Sequence, residues 1–391
     1  MQKADGSKQA ILLLEDGTFF VGKGFGSEVN VVGEAVFTTG MVGYPESMTD
    51  PSFAGQVLCF TYPLIGNYGV PRKDHLDHFG LPVHFESESI KVSGIVVQEY
   101  CERPSHWASR ARLSEWMQEE GIPGISDIDT RALVSTLRER GVMMAALANG
   151  TDLPTRKALA SMIEKSLRYD SVDFVKGVST KRSYTYGSPG NTVVIIDCGL
   201  KLSIIRNILK RGYRVVRVPH NASYADVMAY NPDGVVISNG PGDPTLCRET
   251  IRTAGRLVDS EVPLLGICLG EQLIALSQGV DTYKLKYGHR GQNKPVVDLT
   301  TGRGYVTSQN HGYAVDRQKL ERSHMKVWFL NADDGSVEGT LHESRPCIAV
   351  QFHPEGSPGP YDTEFVFDNF VVLMNKYRET VIGERTRIMR V

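Results

Sequence analysis

Apolar and polar positions follow different patterns in the two halves of the chain. Before residue 150, short apolar runs are bounded by polar turn residues, which predicts short strands. These runs lie at residues 11–14, 35–38, 57–60 and 93–98. Two stretches with one apolar face, at about 109–120 and 130–139, predict helices. Residues 1–150 are therefore expected to form a mixed α/β domain.

After residue 190 the apolar runs are continuous and alternate with helical stretches, as in buried parallel strands joined by crossover helices. Strands are predicted at 192–197, 213–218, 233–237 and 263–267. Helices are predicted near 201–211, 223–230 and 247–259. Residues 191–391 should thus fold as an α/β domain around a doubly wound, mostly parallel sheet. Residues 151–190, a helical stretch followed by a polar linker at 179–191, are expected to connect the domains.

The composition excludes several classes of function. A formal net charge of -2 at pH 7 argues against nucleic acid or an acidic membrane as partner, because both require a basic protein surface. No apolar run reaches the roughly 20 residues that span a bilayer, and the N-terminal residues do not resemble a secretory signal. The six cysteines lack the paired spacing of a disulfide framework or a metal site. We therefore expect a cytoplasmic protein with no metal or cofactor of its own.

Cys268 has the sequence surroundings of an activated nucleophile. It is the centre of Gly266-Ile267-Cys268-Leu269-Gly270, between an apolar strand and a helical stretch. Such a turn pushes its central side chain into a cleft, and the glycines avoid clashes with neighbouring backbone. The helix N-terminus should favour the thiolate form. The alternative is an inert cysteine buried in a glycine turn.

Two further loops follow predicted strands of the same domain. Residues 238–244, SNGPGDP, can present backbone N–H groups to an oxyanion, although Asn-Gly and Pro-Gly also occur in ordinary turns. His353 ends an apolar strand and precedes Glu355 by two residues, which suits a general base and the carboxylate that orients it. A surface histidine at a strand end is the alternative. Because parallel strands end at one edge of their sheet, the three loops are expected to meet there.

These motifs give the chain a resemblance to a known family. GICLGEQ (266–272) and FHPEGSPGP (352–360) resemble the class I, triad-type glutamine amidotransferases. The resemblance narrows to the small subunits of carbamoyl-phosphate synthase through SNGPGDP (238–244), GHRGQNKPV (288–296) and SQNHGYAV (308–315). The first half agrees through GEAVFTTGMVGYPESMTDPSFAGQ (33–56), TYPLIGNYG (61–69) and DIDTRAL (127–133). The resemblance extends over essentially the whole chain.

The resemblance implies roles for individual residues. Cys268 matches the family's nucleophile, His353 its base and Glu355 the third member of the triad. The backbone N–H groups of Gly240 and Leu269 match the oxyanion hole. Positions that match glutamine contacts are Ser52, Gly240, Gly242, Leu269, Gln272, Asn310, Gly312 and Tyr313. Because Ser52 belongs to the first domain, the resemblance implies a glutamine pocket near the domain interface.

The resemblance also implies an activity and a partner. The chain would hydrolyse L-glutamine through a Cys268 thioester and deliver ammonia to a large synthetase subunit, in a hetero-oligomer that serves pyrimidine or arginine biosynthesis. ATP and Mg²⁺ would bind to that large subunit, and the first domain would contact it. The second domain would have the flavodoxin-like fold of class I glutaminases. Two alternatives stay open: a catalytically silent regulatory or scaffolding subunit, and a stand-alone cysteine hydrolase.

One position departs from the family's pattern. In the family, the residue after the second glycine of the nucleophile elbow, the turn at residues 266–270, is usually histidine, and here it is Glu271. A glutamate in the first turn of a helix is favoured by the helix dipole and is expected to point into solvent. Alternatively, its charge repels a Cys268 thiolate by roughly 2 kcal/mol, for charges about 8 Å apart. Solvent around Glu271 would screen most of that repulsion.

Overall fold

The computed structural model describes residues 8–388. The chain divides into two compact units, Met1–Val172 and Asp173–Val391. The boundary falls within the segment that the sequence predicts as a connection. No helix within the described range is long and apolar enough to cross a bilayer.

The first unit is built around a closed barrel with the strand order β1-β2-β8-β6-β4-β3-β9. The strands of this unit are β1 (Gln9–Leu14), β2 (Phe19–Gly26), β3 (Asn30–Thr38), β4 (Gln56–Phe60), β5 (Leu64–Ile65), β6 (Gly94–Val96), β7 (Glu99–Tyr100), β8 (Pro123–Ser126) and β9 (Met143–Gly150). Its helices are α1 (Tyr44–Thr49), α2 (Leu113–Glu119), α3 (Thr130–Arg140) and α4 (Arg156–Lys165). β9 pairs antiparallel with β1 and so closes the barrel.

Local sequence explains the main elements of this unit. Gly17, with φ 88°, provides the left-handed residue that the tight turn between β1 and β2 requires. α2 places Trp116 and Met117 on its buried face, where they join Leu58 and Ile95 of the strands in one hydrophobic core. The mixed α/β domain expected from the short apolar runs is the architecture found.

The second unit is built around a ten-stranded sheet with helices packed against it. Its strands are β10 (Tyr184–Tyr186), β11 (Thr192–Asp197), β12 (Arg214–Pro219), β13 (Gly234–Ile237), β14 (Leu264–Ile267), β15 (Thr282–Asp298), β16 (Gly304–Val315), β17 (Met325–Asn331), β18 (Val337–His342) and β19 (Cys347–Val350). Its helices are α5 (Val175–Val178), α6 (Leu202–Lys210), α7 (Tyr224–Met228), α8 (Arg248–Asp259), α9 (Leu269–Ser277), α10 (Arg317–Leu320) and α11 (Phe365–Ile388).

The parallel part of this sheet aligns the ends of its strands. The sheet order is β10-β12-β11-β13-β14-β19-β18-β17-β15-β16, and the strands from β12 to β19 in that order are parallel. Val235 pairs with Leu264, and Gly266 pairs with Ala349, so β13, β14 and β19 end at the same edge. The loops after these strands therefore meet, as the sequence predicts.

Two parts of the second unit differ from the sequence-based expectations. Tyr184–Tyr186, inside the expected linker, forms the edge strand β10 against β12, because two tyrosines of high β propensity lie beside an open sheet edge. Beyond β19 the sheet continues through four antiparallel strands that cover most of 282–342. Register shifts, such as the one between Lys284 and His289, break the alternation by which such strands are recognised.

Candidate active site

β14 turns into α9 at Cys268, and the backbone of this turn is strained. Cys268 has φ 55° and ψ −104°, outside the regions that residues with a side chain ordinarily occupy. Its N–H donates a hydrogen bond to the Val350 carbonyl at 2.7 Å, and its Sγ lies 3.7 Å from the carbonyl oxygen of Asn310. The structure thus holds the cysteine on the strained strand-to-helix turn that the sequence predicts.

The two glycines of the turn are required by close packing. A Cβ on Gly270 would lie 2.1 Å from the carbonyl oxygen of Ile237. A Cβ on Gly266 would lie 2.7 Å from Cδ1 of Ile274 and 2.8 Å from backbone atoms of Gly270. Any larger residue at either position would displace the backbone that sets the Cys268 conformation.

His353 and Glu355 follow β19 at the same edge of the sheet. Nδ1 of His353 lies 2.7 Å from Oε1 of Glu355, and both side chains are buried. Nε2 of His353 has no conventional hydrogen-bond partner among the described residues, and the Cys268 thiol is close enough to interact with this ring. The structure therefore brings together the thiol, imidazole and carboxylate expected from the sequence.

Sequence reasoning missed Lys201, which belongs to the same cluster. Its Nζ lies 2.9 Å from Oε1 of Glu355 and 3.3 Å from the carbonyl oxygen of Ser357, and its backbone N–H donates to Oδ1 of Asn239. Lys201 is 3% exposed, so its charge is compensated by Glu355 rather than by water. The sequence could have indicated Lys201, because it follows β11, a parallel strand that ends at the same edge of the sheet as the strands before the motif loops.

The charges of this cluster depend on one another. Burial lowers the pKa of His353, but the charge of Glu355 raises it. The Lys201 cation lowers this pKa and a hydrogen bond with Cys268 raises it. The resulting pKa of His353 is about 10. Burial raises the pKa of Glu355, but Lys201 and His353 lower it to about 2. Near neutral pH the cluster therefore contains an imidazolium between Cys268 and a carboxylate. This arrangement can supply a proton to a leaving group beside Cys268.

We predict that Lys201→Met weakens the cluster without removing a reacting group. Loss of a charged hydrogen bond to Glu355 should cost about 1.5–3 kcal/mol of unfolding free energy. Because the Lys201 cation lowers the pKa of His353, its removal should raise that pKa and move the alkaline limit of glutamine hydrolysis to higher pH. Chemical denaturation and a pH profile of kcat/KM measure the two effects.

Lys210→Met is the matched control, because Lys210 is an exposed lysine at the end of α6. It should leave both stability and the pH profile unchanged. A pH limit that moved downward in Lys201→Met would contradict the electrostatic role given to Lys201.

The loop after β13 approaches the elbow through Gly240. A Cβ on Gly240 would lie 2.1 Å from the Cys198 carbonyl oxygen and 2.7 Å from Cδ2 of Leu269, so only glycine permits this contact. Gly242, with φ 90°, also needs the conformational freedom of glycine. The two backbone N–H groups expected to form an oxyanion hole, on Gly240 and Leu269, therefore belong to segments in contact beside Cys268. Their role in binding an oxyanion stays a prediction.

The other predicted glutamine contacts of the second unit lie on α9 and β16. The Gln272 amide donates to the Tyr313 carbonyl at 3.0 Å and to Oε1 of Gln351 at 2.9 Å, which fixes α9 against β16. The Tyr313 hydroxyl donates to Oδ2 of Asp243 at 3.3 Å and so connects β16 to the loop after β13. Asn310 and Gly312 belong to β16, next to Tyr313 in the sequence. Gln272 uses its amide within the protein, so a role for it in binding glutamine stays a prediction.

Ser52 lies in the first unit, in the short 3-10 turn Pro51–Phe53. It is buried, and its N–H donates to Oδ1 of Asp50 at 2.9 Å, as in an Asx turn. Its assignment to a glutamine pocket stays a prediction from the resemblance.

The exposed position expected for Glu271 is wrong. Its side chain is completely buried, beside Glu338 and Thr340 of β18. Burial, followed by the charge of Glu338, raises its pKa well above the ordinary value. The alternative interpretation, in which the charge of Glu271 repels a Cys268 thiolate, stays a prediction. The antiparallel strands that cover Glu271 were absent from the predicted fold, and this explains the error.

Comparison with known proteins identifies the family. A family model described as glutamine amidotransferase class-I matches residues 194–373, and one for the carbamoyl-phosphate synthase small chain, CPSase domain, matches residues 12–147. The carbamoyl phosphate synthase small chain of Pyrococcus furiosus is 50% identical over 371 residues, which cover 94% of this chain and 98% of that one. The chain belongs to the carbamoyl-phosphate synthase small-chain family.

Other small chains agree with this assignment. That of Sulfurisphaera tokodaii is 45% identical over 366 residues, covering 93% of this chain and 96% of that one. The arginine-specific small chain of Chaetomium globosum is 48% identical over 373 residues, covering 95% of this chain and 79% of that one. Membership of the small-chain family confirms the predicted α/β fold and the predicted enzyme class, a glutamine-hydrolysing amidotransferase. A small chain also implies a large chain as its partner.

Proposed function

We propose that this small chain hydrolyses glutamine with Cys268 as nucleophile, His353 as proton carrier and Glu355 as the carboxylate that orients it. The Cys268 thiolate attacks the side-chain amide carbon, and the carbonyl oxygen becomes an oxyanion facing the N–H groups of Gly240 and Leu269. The C–N bond then breaks, ammonia leaves with a proton from the His353 imidazolium, and a thioester remains. Neutral His353 then takes a proton from water as the water attacks the thioester, and breaking of the C–S bond releases the glutamate product and the Cys268 thiolate beside a His353 imidazolium.

The observation that carries this proposal is the shared edge of the sheet. Cys268 after β14 and His353 and Glu355 after β19 come from distant parts of the sequence, yet their side chains form one buried group. Lys201 holds the carboxylate of that group from a third loop. A silent regulatory subunit has no need for a strained cysteine beside a buried imidazole, and a stand-alone hydrolase has no need for the small-chain barrel matched in the first unit.

The ammonia is proposed to pass to a large synthetase subunit that binds ATP and Mg²⁺ and makes carbamoyl phosphate from bicarbonate. Co-purification of the chain with its partner, followed by an assay of carbamoyl phosphate formation from glutamine, tests this directly. Glutamate release without any partner-dependent synthesis would favour the stand-alone hydrolase. Partner binding without glutamate release would favour the silent subunit. A cytoplasmic location stays a prediction.

We predict that a glutamine-mimicking chloroketone labels Cys268 before the other five cysteines. Burial raises the pKa of Cys59, Cys247 and Cys347 to about 12 and that of Cys198 well above its ordinary value, so these thiols should be inert. Cys101 is half-buried and should be the site that a small, unspecific reagent such as iodoacetamide reaches most readily. Peptide mapping after each reagent checks both expectations. First labelling of Cys101 by the glutamine mimic would contradict the assignment.

A further inference from the structure

A second buried cluster of polar side chains lies behind the elbow, on the antiparallel strands. His289 of β15, His311 of β16 and Glu338 of β18 are all buried, and each directs one nitrogen or oxygen atom to a common centre. These three atoms lie within 4.8 Å of one another. Two imidazoles and a carboxylate at such spacing are typical ligands of a divalent transition metal.

The hydrogen bonds of His311 leave a lone pair facing the centre. Its Nδ1 lies 2.8 Å from the carbonyl oxygen of Tyr313, which can only accept, so Nδ1 carries the ring proton. Nε2 of a neutral His311 is therefore an acceptor, and it has no hydrogen-bond partner among the described residues. It faces Oε1 of Glu338 at 3.7 Å; that oxygen accepts a hydrogen bond from Nδ2 of Asn331 at 2.9 Å, but no donor of the described residues lies between the imidazole nitrogen and the carboxylate. A cation between them would resolve this arrangement.

His289 has the outer contact that metal-binding histidines usually have. Its Nε2 lies 2.9 Å from Oδ2 of Asp334, so a proton on Nε2 is held by that carboxylate. Nδ1 then lies 3.3 Å from Oε1 of Glu338 and 3.4 Å from Nδ2 of Asn331. In each histidine, therefore, one ring nitrogen donates to a protein oxygen outside the cluster and the other faces Glu338. The outer oxygens belong to the Tyr313 carbonyl for His311 and to Asp334 for His289.

A doubly protonated His289 could also satisfy Asp334 and Glu338 without a metal. It would leave Nε2 of His311 and Oε2 of Glu338 buried without partners among the described residues, with the Glu271 carboxyl beside Glu338 and the Thr340 hydroxyl. Unpaired buried polar atoms are costly, and a group of neighbouring acceptors is stabilised by a cation. A divalent cation accounts for these groups together, because Glu338 and Glu271 would balance its two charges.

We propose that His289, His311 and Glu338 bind one divalent transition-metal ion, of the Zn²⁺ class, with Glu271 as the neighbouring carboxylate that completes its charge balance. This site departs from the expectation of no metal, because its three ligands come from separate strands and lack the short spacing of metal motifs. The ion would fix β16 beside the elbow, where Asn310 contacts the Cys268 thiol and Tyr313 binds the Gln272 amide. Its role is structural, and it touches no reacting atom.

The test is metal binding by the full chain, stripped with a chelator and then returned to buffer with Zn²⁺ or Co²⁺. We expect one Zn²⁺ per chain by elemental analysis, a higher temperature of unfolding with the metal, and visible absorption of four-coordinate Co²⁺. Absorption bands of this kind require protein ligands bonded to the ion, so the Co²⁺ spectrum tests the site in the unaltered protein. Absence of stoichiometric metal in the unaltered chain would overturn the proposal.

Variants locate the ion. His311→Asn and Glu338→Gln should each weaken Zn²⁺ binding by more than about 100-fold, and Glu271→Gln by about 10–100-fold, as expected for an outer partner. His324→Asn is the matched control, because His324 is an exposed histidine of the same unit with Glu343 at 3.8 Å. Equal loss in His324→Asn, or undiminished binding in both His311→Asn and Glu338→Gln, would show adventitious surface binding and overturn the site.

Discussion

Cys268→Ser is expected to abolish carbamoyl phosphate synthesis from glutamine in the assembled enzyme while synthesis from added ammonium continues. A serine hydroxyl is a far weaker nucleophile than a thiolate at neutral pH. We expect the glutamine-dependent rate to fall by at least about 10³-fold. The ammonium-dependent rate should be unchanged, because that chemistry is assigned to the large subunit. Both rates are measured on the same preparation.

The result is informative only if the complex stays assembled. Cys101→Ser is the matched control, because Cys101 lies in the first unit, away from the elbow sequence, and should leave both rates intact. Co-purification with the large subunit checks assembly of both variants. Parallel loss of the two rates in an assembled Cys268→Ser complex would refute the division of labour between the subunits.

The sequence predicts the parallel half of the second unit well, because its physical signals are local. The runs that became β11 and β13 are continuously apolar, since parallel strands are buried on both faces. The elbow is equally local, because a strained cysteine needs glycines beside it and a strand and helix around it. Five or six neighbouring residues carry that whole signal.

What the sequence did not predict depends on contacts between distant strands. Lys201 is an ordinary lysine at the start of a helix until the fold brings Glu355 to its ammonium group. His289, His311 and Glu338 come together only because β15, β16 and β18 belong to the same sheet. The exposed position predicted for Glu271 failed for the same reason, since β18 covers the start of α9.

His353→Asn is expected to lower glutamine hydrolysis by at least about 10²-fold, and Glu355→Gln by less. Asparagine cannot carry the proton to the leaving ammonia, whereas glutamine at 355 leaves the imidazole in place but removes the charge that holds it. Because that charge raises the pKa of His353 to about 10, its loss should lower this pKa and move the alkaline limit of hydrolysis to lower pH. A pH profile of kcat/KM for each variant provides the measurement. The reverse order of rates would contradict these roles.

Glu355→Gln also removes the counter-ion of Lys201, and a double variant separates this loss of stability from the effect on His353. Without Glu355 the buried Lys201 ammonium loses its counter-ion, and breaking a buried pair costs roughly 3–5 kcal/mol. Glu355→Gln combined with Lys201→Met removes both charges and should be more stable than Glu355→Gln alone. The raised pKa of His353 contributes stability below pH 6.5, its ordinary pKa, and that contribution is lost as pH rises toward about 10. Without the carboxylate in either Glu355 variant, this contribution should be smaller and should be lost completely at a lower pH. Denaturation curves at several pH values test this. If the free energy of unfolding of a Glu355 variant kept falling to as high a pH as in the unaltered chain, Glu355 would not stabilise the imidazolium.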